Sequence, residues 1–495
     1  MNEPRLINPV QPRDISRHQQ DRIVGVLIGS AVGDAKGAPF EFKGPGTYGR
    51  RFPEPVTGGV GEMIGGGAFN WAPGEFTDDT QMAVALAEAL ISVDGYDADV
   101  VWKHFRAWVS SARDVGITTS YALAHEDWRG AAAAAHESTN GRSASNGCVM
   151  RIGPVGVFGV RVGRDETFRI ATAQAALTHH DPAAAAGAAL VAETIRLTIL
   201  TGEFIPSLVA AHEWLLTTHV GEVLESQYGP LVSPSFDPHT HDGPGNGSVW
   251  TAVAQAIWAV RTTSSFADAM VAAIELGDDT DTVAAIAGAM AGAAHGNQAI
   301  PSRWTTYLHG HVRMPSGETV RYDTRALTDI ARRLVGKSPV RASELEPIIQ
   351  PQEVHPAGVM AANLPGATLV DADTGVVSLC LTGGLLDDKP FRRAVYMRDE
   401  PGDFNPRLID ALTDAVDSID AFLREGRKVV VHCHGGRSRT GFVLKAWYMR
   451  HEGVSHAEAH EWMSRTWPHY RTWTETFWEV LEGEWSVRNG LKEDK

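Results

Sequence analysis

Cysteine is scarce: Cys148, Cys380 and Cys433 are the three thiols in 495 residues. Three cannot build a disulfide framework, so a reducing compartment is expected. Positive charge is also short. The 44 Lys and Arg against 60 Asp and Glu leave a formal net charge of −16. That argues against nucleic acid as a partner, because a broad nucleic-acid surface needs a basic face; a small basic pocket for a phosphate stays open. Long apolar runs are missing as well. The longest, Val283 to Ala294, is too short to span a bilayer and is rich in Ala and Gly. Residues 1–22 are polar and lack the apolar core of a secretory signal. These absences lead to the expectation of a cytoplasmic protein with no membrane partner. The composition that remains, 43% hydrophobic and 21% charged, is that of a globular chain, and the length suggests two to four domains.

What is present changes character along the chain. The first three hundred residues carry Ala-rich stretches of helical period at Met82–Leu90, Pro182–Leu197 and Thr282–Ala294. In the last of these, Val283, Ile286, Ala287, Met290 and Ala294 mark one buried face. Strand-like alternation is rare here, which predicts an all-α bundle over residues 1–335. Beyond a Pro-, Ser- and charge-interrupted linker at 336–352, short apolar runs at 376–381, 394–397 and 428–432 read as buried strands. Amphipathic segments at 408–423 and 442–450 read as helices. Strands alternating with helices predict an α/β domain over residues 353–495.

Two acidic clusters stand directly before apolar helices: Thr77-Asp78-Asp79-Thr80 and Asp278-Asp279-Thr280-Asp281-Thr282. Either alone could serve as a helix N-cap. Capping needs one oxygen, however, and several carboxylates packed together repel one another unless a cation neutralises them. Carboxylate and hydroxyl oxygens without clustered Cys or His suit Mg²⁺, with Mn²⁺ or Ca²⁺ less specifically favoured.

These motifs, taken with Gly29-Ser30-Ala31-Val32-Gly33-Asp34-Ala35 and Glu41, resemble the ADP-ribosylglycohydrolase family over residues 20–310. Ser145-Asn146-Gly147-Cys148-Val149-Met150-Arg151 is similar to the family's ribose- and phosphate-contacting loop, and Thr178-His179-His180 resembles its histidine motif. The resemblance implies an ADP-ribosylglycohydrolase-like all-helical fold holding two Mg²⁺ ions. Thr77, Asp78, Asp79, Asp279, Asp281 and Thr282 would be the ligands, Glu41 would match a mobile catalytic glutamate, and Asn146, Gly147 and His179 would bind ADP-ribose. Cleavage of a glycosidic bond at the ribose anomeric carbon develops oxocarbenium character, and a carboxylate can shuttle the proton. Asp278 stands where the family usually has Gly and is expected to cap its helix. Ser145 and Cys148 replace small family residues, and Cys148 is expected to be a small buried side chain.

A second chemistry lies in His432-Cys433-His434-Gly435-Gly436-Arg437-Ser438-Arg439-Thr440-Gly441, between an apolar strand and an apolar helix. The backbone N–H groups of a glycine-rich turn at a helix start can cradle a phosphate, here over Gly435, Gly436, Arg437 and Ser438. Arg439 can grip two phosphate oxygens. The same field favours a thiolate nucleophile at Cys433. The segment resembles the cysteine-dependent phosphatases of the dual-specificity class over residues 350–485. The resemblance implies a general acid about thirty residues upstream, with Asp399 as the choice and Asp403 in reserve, and a hydroxyl at Thr440 that hydrogen-bonds the leaving thiolate. Trp462, Trp467, Trp473, Phe477, Trp478 and Trp485 crowd the C-terminus and read as core packing rather than a nucleotide-stacking platform.

The expected protein is therefore a multidomain hydrolase. An ADP-ribosylated protein or small molecule would be the substrate of the first domain and a phosphorylated substrate that of the second. An ADP-ribose-sensing module with only the phosphatase domain catalytic is the alternative.

Overall fold

The Ala- and Gly-rich segments are helices in the computed structural model, which describes residues 7–339, 344–400 and 405–491. The chain clusters into two units. One comprises Met1–Pro55, Glu62–Ile300 and Tyr307–Pro339; the other comprises Val56–Gly61, Pro301–Thr306 and Val340–Lys495.

In the first unit Ser16 opens helix α1 (Arg17–Gly37) with a capping box: its hydroxyl accepts from the Gln19 amide while the Gln19 side chain accepts from the Ser16 amide. Helices α2 (Asp78–Val93), α3 (Gly153–Val162), α4 (Arg164–Ala176), α5 (Pro182–Thr201), α6 (Val249–Arg261) and α7 (Thr280–His295) follow. Gly25, Gly29, Gly33 and Gly37 recur every four residues along α1 and meet Gly292, Gly288, Ala284 and Asp281 of α7 in antiparallel order. A Cβ at Gly29 would collide with the Gly288 carbonyl, and one at Gly37 would stand 2.6 Å from the Asp281 Cα. Backbone contact along this seam fixes the end of α1 against the start of α7, where the second acidic cluster lies.

Two helical stretches, Arg17–Phe40 and Pro182–Thr201, reach the length and hydropathy of a membrane span, longer than the sequence runs suggested. They are 94% and 89% buried within the fold and form its core. The all-helical expectation misses one feature. Strands β1 (His309–Arg313) and β2 (Thr319–Asp323) form an antiparallel hairpin before helix α8 (Thr324–Leu334). Its inward alternation is carried by only Gly310, Val312 and Tyr322, too short a pattern to stand out in the sequence.

The second unit is a five-stranded sheet in the order β3-β4-β7-β5-β6. Its strands are β3 (Gln352–His355), β4 (Val359–Asn363), β5 (Gly375–Ser378), β6 (Arg392–Ala394) and β7 (Val429–Cys433). β3 pairs antiparallel at the edge and the remaining pairings are parallel. β6 lies two residues earlier than the apolar run suggests, and Val395 and Met397 continue past it by bonding Ser378 and Leu379. β7 is buried throughout, as its unbroken Val429-Val430-Val431 run requires. Its longer helices are α9 (Leu408–Arg424), α10 (Ser438–Glu452), α11 (His456–Thr466) and α12 (Glu475–Val480). Leu408, Leu412, Ala415, Ile419 and Phe422 of α9 pack with Val429 and Val431 on one sheet face, each large side chain worth ~1.5–3 kcal/mol of burial. Trp462, Trp467, Phe477 and Trp485 belong to the same core, whereas Trp473 is exposed.

Candidate active sites

The first site forms where α1 ends and α2 and α7 begin. Thr77 and Asp279 occupy the N-cap positions of α2 and α7, yet neither side chain caps its helix. The start of α2 is held instead by Asp34 of α1, which accepts from the Thr77 amide (2.9 Å), the Thr80 amide (3.0 Å) and the Thr80 hydroxyl (2.6 Å). That frees the oxygens of the first cluster. Thr77 Oγ1 donates to Asp79 Oδ2 at 3.1 Å, while Asp79 Oδ1 is buried with no hydrogen-bond partner. Asp78, Asp79, Asp281 and Thr282 are all buried.

Asp278 does not cap its helix. Its φ of +57° lies in the left-handed region that favours glycine. Its carboxylate is exposed, and its backbone pairs with that of Lys43 and accepts from the Phe42 amide at 2.7 Å. This bridge holds Glu41 beside the second cluster. Carboxylate oxygens of Glu41, Asp279 and Asp281 lie within 4.8 Å of one another, and Glu41 Oε2 is buried and unpartnered.

The electrostatics express the crowding. Burial, then Asp114, Asp279 and Asp34, pushes the Glu41 carboxyl up to about 8. Burial and neighbouring carboxylates hold Asp78, Asp79 and Asp281 well above the ordinary range. Buried carboxylates that repel one another, orphaned oxygens and an all-oxygen donor set fit a hard divalent cation.

The loop Ser145–Cys148 runs alongside. Asn146 Nδ2 donates to Asp279 Oδ2 (2.8 Å) and to the Asn246 carbonyl, and Asn246 Oδ1 accepts from the Asp279 amide (3.1 Å). A Cβ at Gly147 would stand 3.4 Å from the His179 ring, so the bare loop lies directly on His179. Burial and the Arg151 charge lower His179 to about 3, which keeps it neutral. Cys148 is fully buried, and its thiol is pushed up to about 12 by burial, so it is a packing residue.

In the second unit Cys433 ends β7 and α10 begins at Ser438. Gly436 turns the loop with φ +65°, where a Cβ would meet the Ala362 carbonyl at 2.7 Å; Trp467 Nε1 donates to the Gly436 carbonyl at 2.7 Å. Gly435 lies beside Glu346, which also pairs with Arg437 (2.8 Å). Arg439 Nη1 is anchored by the Leu379 and Met397 carbonyls at 3.1 and 3.0 Å. Its Nε is buried without a hydrogen-bond partner and faces Asp399 Oδ2 at 3.6 Å. Asp399 also accepts from Thr474 Oγ1 at 3.0 Å. The hydroxyls of Ser438 and Thr440 are buried and unpartnered. Asp403 lies outside the described residues.

Residues 16–344 match the family model described as ADP-ribosylglycohydrolase. The chain belongs to the ADP-ribosylglycohydrolase family. Residues 391–481 match the model described as dual specificity phosphatase, catalytic domain, so this family member is a fusion of two hydrolase types. It is 31% identical over 300 residues to the ADP-ribosylarginine hydrolase Tri1 of Serratia proteamaculans, covering 58% of this chain and 75% of that one. It is 30% identical to the protein of that name from Pseudomonas putida, covering 57% and 73%. It is 28% identical to the ADP-ribosyl-[dinitrogen reductase] glycohydrolase of Rhodospirillum rubrum, covering 58% and 90%.

Two carboxylates at the first site have no role implied by the sequence motifs. Asp34 is the cross-helix cap. Asp114, raised to about 6 by burial and then by Asp279, is a further acidic wall of the site. The sequence signal for Asp34 was its place in the Gly-rich opening; Asp114 sits among Arg113, Val115 and Gly116 with no pattern around it.

Proposed function

We propose that the first unit hydrolyses the glycosidic bond joining ADP-ribose to its acceptor, and that the second hydrolyses phosphoesters through a cysteine thiolate. The observation that carries the first reading is the convergence of buried carboxylates from the starts of α2 and α7 with Glu41, beyond the end of α1, beside the Asn146–Gly147 loop, where Asp79 Oδ1 and Glu41 Oε2 are buried without a hydrogen-bond partner. Thr77, Asp78, Asp79, Asp279, Asp281 and Thr282 would hold two Mg²⁺ ions, or Mn²⁺ in their place, which supply charge to orient the ribose hydroxyls and favour a hydroxide-like water. Glu41, with a free buried oxygen and a high proton affinity, takes the proton of the attacking water and returns it to the departing acceptor. Asn146, Gly147 and His179 bind the ADP-ribose. ADP-ribosyl-arginine is the first substrate to test, given the names of the relatives, and ADP-ribosyl-serine the second. Release of ADP-ribose with and without Mg²⁺ tests the reading; full release by cation-free protein overturns it.

In the second unit Cys433 Sγ attacks phosphorus, the bond to the leaving oxygen breaks, and Asp399 protonates that oxygen. Water then cleaves the phosphocysteine, with the Thr440 hydroxyl donating to the departing sulfur. The unpartnered Nε edge of Arg439 is suited to grip the phosphoryl oxygens once its ion pair with Asp399 opens. The backbone of Gly435, Gly436, Arg437 and Ser438 at the start of α10 cradles the phosphate.

A further inference from the structure

Arg151 is fully buried, yet no carboxylate partners it among the described residues. Its guanidinium is held by neutral groups: Nε donates to Gln174 Oε1 (2.8 Å), and Nη2 donates to the Gln174 carbonyl (3.0 Å) and to Thr178 Oγ1 (2.9 Å). Phe105 lies under its face, and Nη1 points at Met82 Sδ. An arginine buried on neutral partners keeps a positive charge that the fold itself does not cancel.

The contact with Thr178 leads to the ligand loop. Thr178 Oγ1 lies 2.8 Å from His179 Nδ1, and His179 Nε2 lies 2.9 Å from Ser145 Oγ. A threonine hydroxyl has one proton. Thr178 accepts from Arg151, is fully buried, and among the described residues has no acceptor other than His179 Nδ1. Were Nδ1 protonated, the Thr178 proton would be stranded in the interior, the costly arrangement for a buried donor. The network is satisfied in one sense only: Arg151 donates to Thr178, Thr178 donates to Nδ1, and Nε2–H donates to Ser145 Oγ. Ser145 then has its own proton left, and no partner among the described residues takes it. Ser145 is half-buried and precedes Asn146, which binds Asp279.

We propose that Arg151 is a positioning residue that acts through Thr178 to fix the Nε2–H form of His179, so that Ser145 presents a hydroxyl donor to an anionic oxygen of the ligand. The class of ligand atom follows: an acceptor such as a diphosphate oxygen, which also answers the uncancelled Arg151 charge. This rests on the ADP-ribose reading of the site: the family resemblance already implies a phosphate contact for this loop, and the relay adds which residues orient the Ser145 hydroxyl toward it.

The test uses the full-length chain labelled with ¹⁵N-histidine, the Glu41→Gln background for binding, and the pair Thr178→Val and Thr178→Ser, since Arg151 variants can fail to fold. The His179 resonances, assigned by their loss in His179→Gln, are expected to show a protonated Nε2 and an unprotonated Nδ1. Thr178→Val should shift this balance and weaken ADP-ribose binding, measured by calorimetry, by about tenfold; Thr178→Ser should restore both. Ser145→Ala should weaken ADP-ribose binding similarly while leaving adenosine binding unchanged. A protonated Nδ1 in the parent protein overturns the proposal, as does unchanged ADP-ribose affinity in Thr178→Val. Failure of the parent protein to bind ADP-ribose at all sinks the functional reading and with it the diphosphate assignment, whereas the nitrogen spectra still decide the relay itself.

Discussion

Asp34 accepts hydrogen bonds from both the amide and the hydroxyl of Thr80, at 3.0 and 2.6 Å, across 46 positions of the chain. The carboxylate of one helix thereby does the capping that Thr77 and Asp79 would otherwise do for their own, and leaves their oxygens for a ligand.

Removing that cap tests the arrangement. Asp34→Ala leaves the amides of Thr77 and Thr80 unsatisfied in a buried place and should cost about 2 kcal/mol of stability. Thr80→Val removes one bond and should cost about 1 kcal/mol. Chemical denaturation of each variant and of the double variant measures the coupling. An Asp34→Ala protein as stable as the parent would mean that α2 finds its cap elsewhere.

Proton linkage gives a second prediction. The folded-state values of Glu41, about 8, and of Asp34 and Asp114, about 6, are all raised chiefly by burial. The unfolded chain releases these protons near pH 4. Between pH ~4 and ~8 the folded, cation-free protein therefore binds more protons than the unfolded chain, and its stability falls as pH rises. The penalty is absent below the unfolded values and complete above the folded ones. On the proposed function Mg²⁺ would take the place of the protons, so it should raise the melting temperature more at pH 8 than at pH 5. Thermal melts with chelator and with Mg²⁺ at the two pH values check this, and a melting temperature indifferent to Mg²⁺ at pH 8 counts against a cation site.

Catalysis separates the acidic residues. Glu41→Gln keeps the shape but cannot cycle a proton. It should retain ADP-ribose binding and lose ~10²–10⁴ in turnover. Asp114→Asn, which removes a repelling charge near Asp279 and Glu41, should shift the pH profile of turnover toward lower pH. Steady-state rates across pH read both. An unchanged rate in Glu41→Gln would reduce it to a structural residue.

Much of this was legible because the informative residues are consecutive. Thr77–Asp79, Asp279–Thr282 and Cys433–Arg439 are local strings whose candidate chemistry can be read without knowing the fold, whereas Asn146-Gly147 was singled out by the family resemblance. The helices of the first unit were visible because Ala- and Gly-rich faces repeat at helical period, and β7 because a strand buried on both faces is an unbroken apolar run. Relationships across the fold were not visible. Asp114 joins the site from a segment with no periodicity. The glycine seam of α1 is plain as a spacing, but its partner, α7, is named only by packing. The relay from Arg151 to Ser145 links three segments through hydrogen bonds that no spacing encodes. Asp278 was misread because a capping residue type stood where the backbone needs a left-handed turn.

The phosphatase reading yields the last prediction. Cys433 should form a phosphocysteine, so Cys433→Ser should bind substrate without turning it over. Arg439→Lys should fail too, because Nη1 is already committed to the Leu379 and Met397 carbonyls and the two-point grip uses the planar edge that remains, which a lysine lacks. Asp399 faces that same edge, held by Thr474. A proton donor must leave Arg439 when the phosphoryl group arrives, whereas a residue that merely positions Arg439 need not. The two roles differ in leaving-group dependence. If Asp399 is the donor, Asp399→Asn should slow alkyl and phenyl phosphates far more than an activated aryl phosphate, whose leaving group departs without a proton. If it only positions Arg439, all substrates should slow alike. Should Asp403→Asn show the leaving-group contrast and Asp399→Asn the uniform loss, then Asp403 is the acid and Asp399 the anchor. The two sites share no residue, so Cys433→Ser should release ADP-ribose at the parent rate; loss of both activities with an unchanged circular dichroism spectrum would point to one composite site.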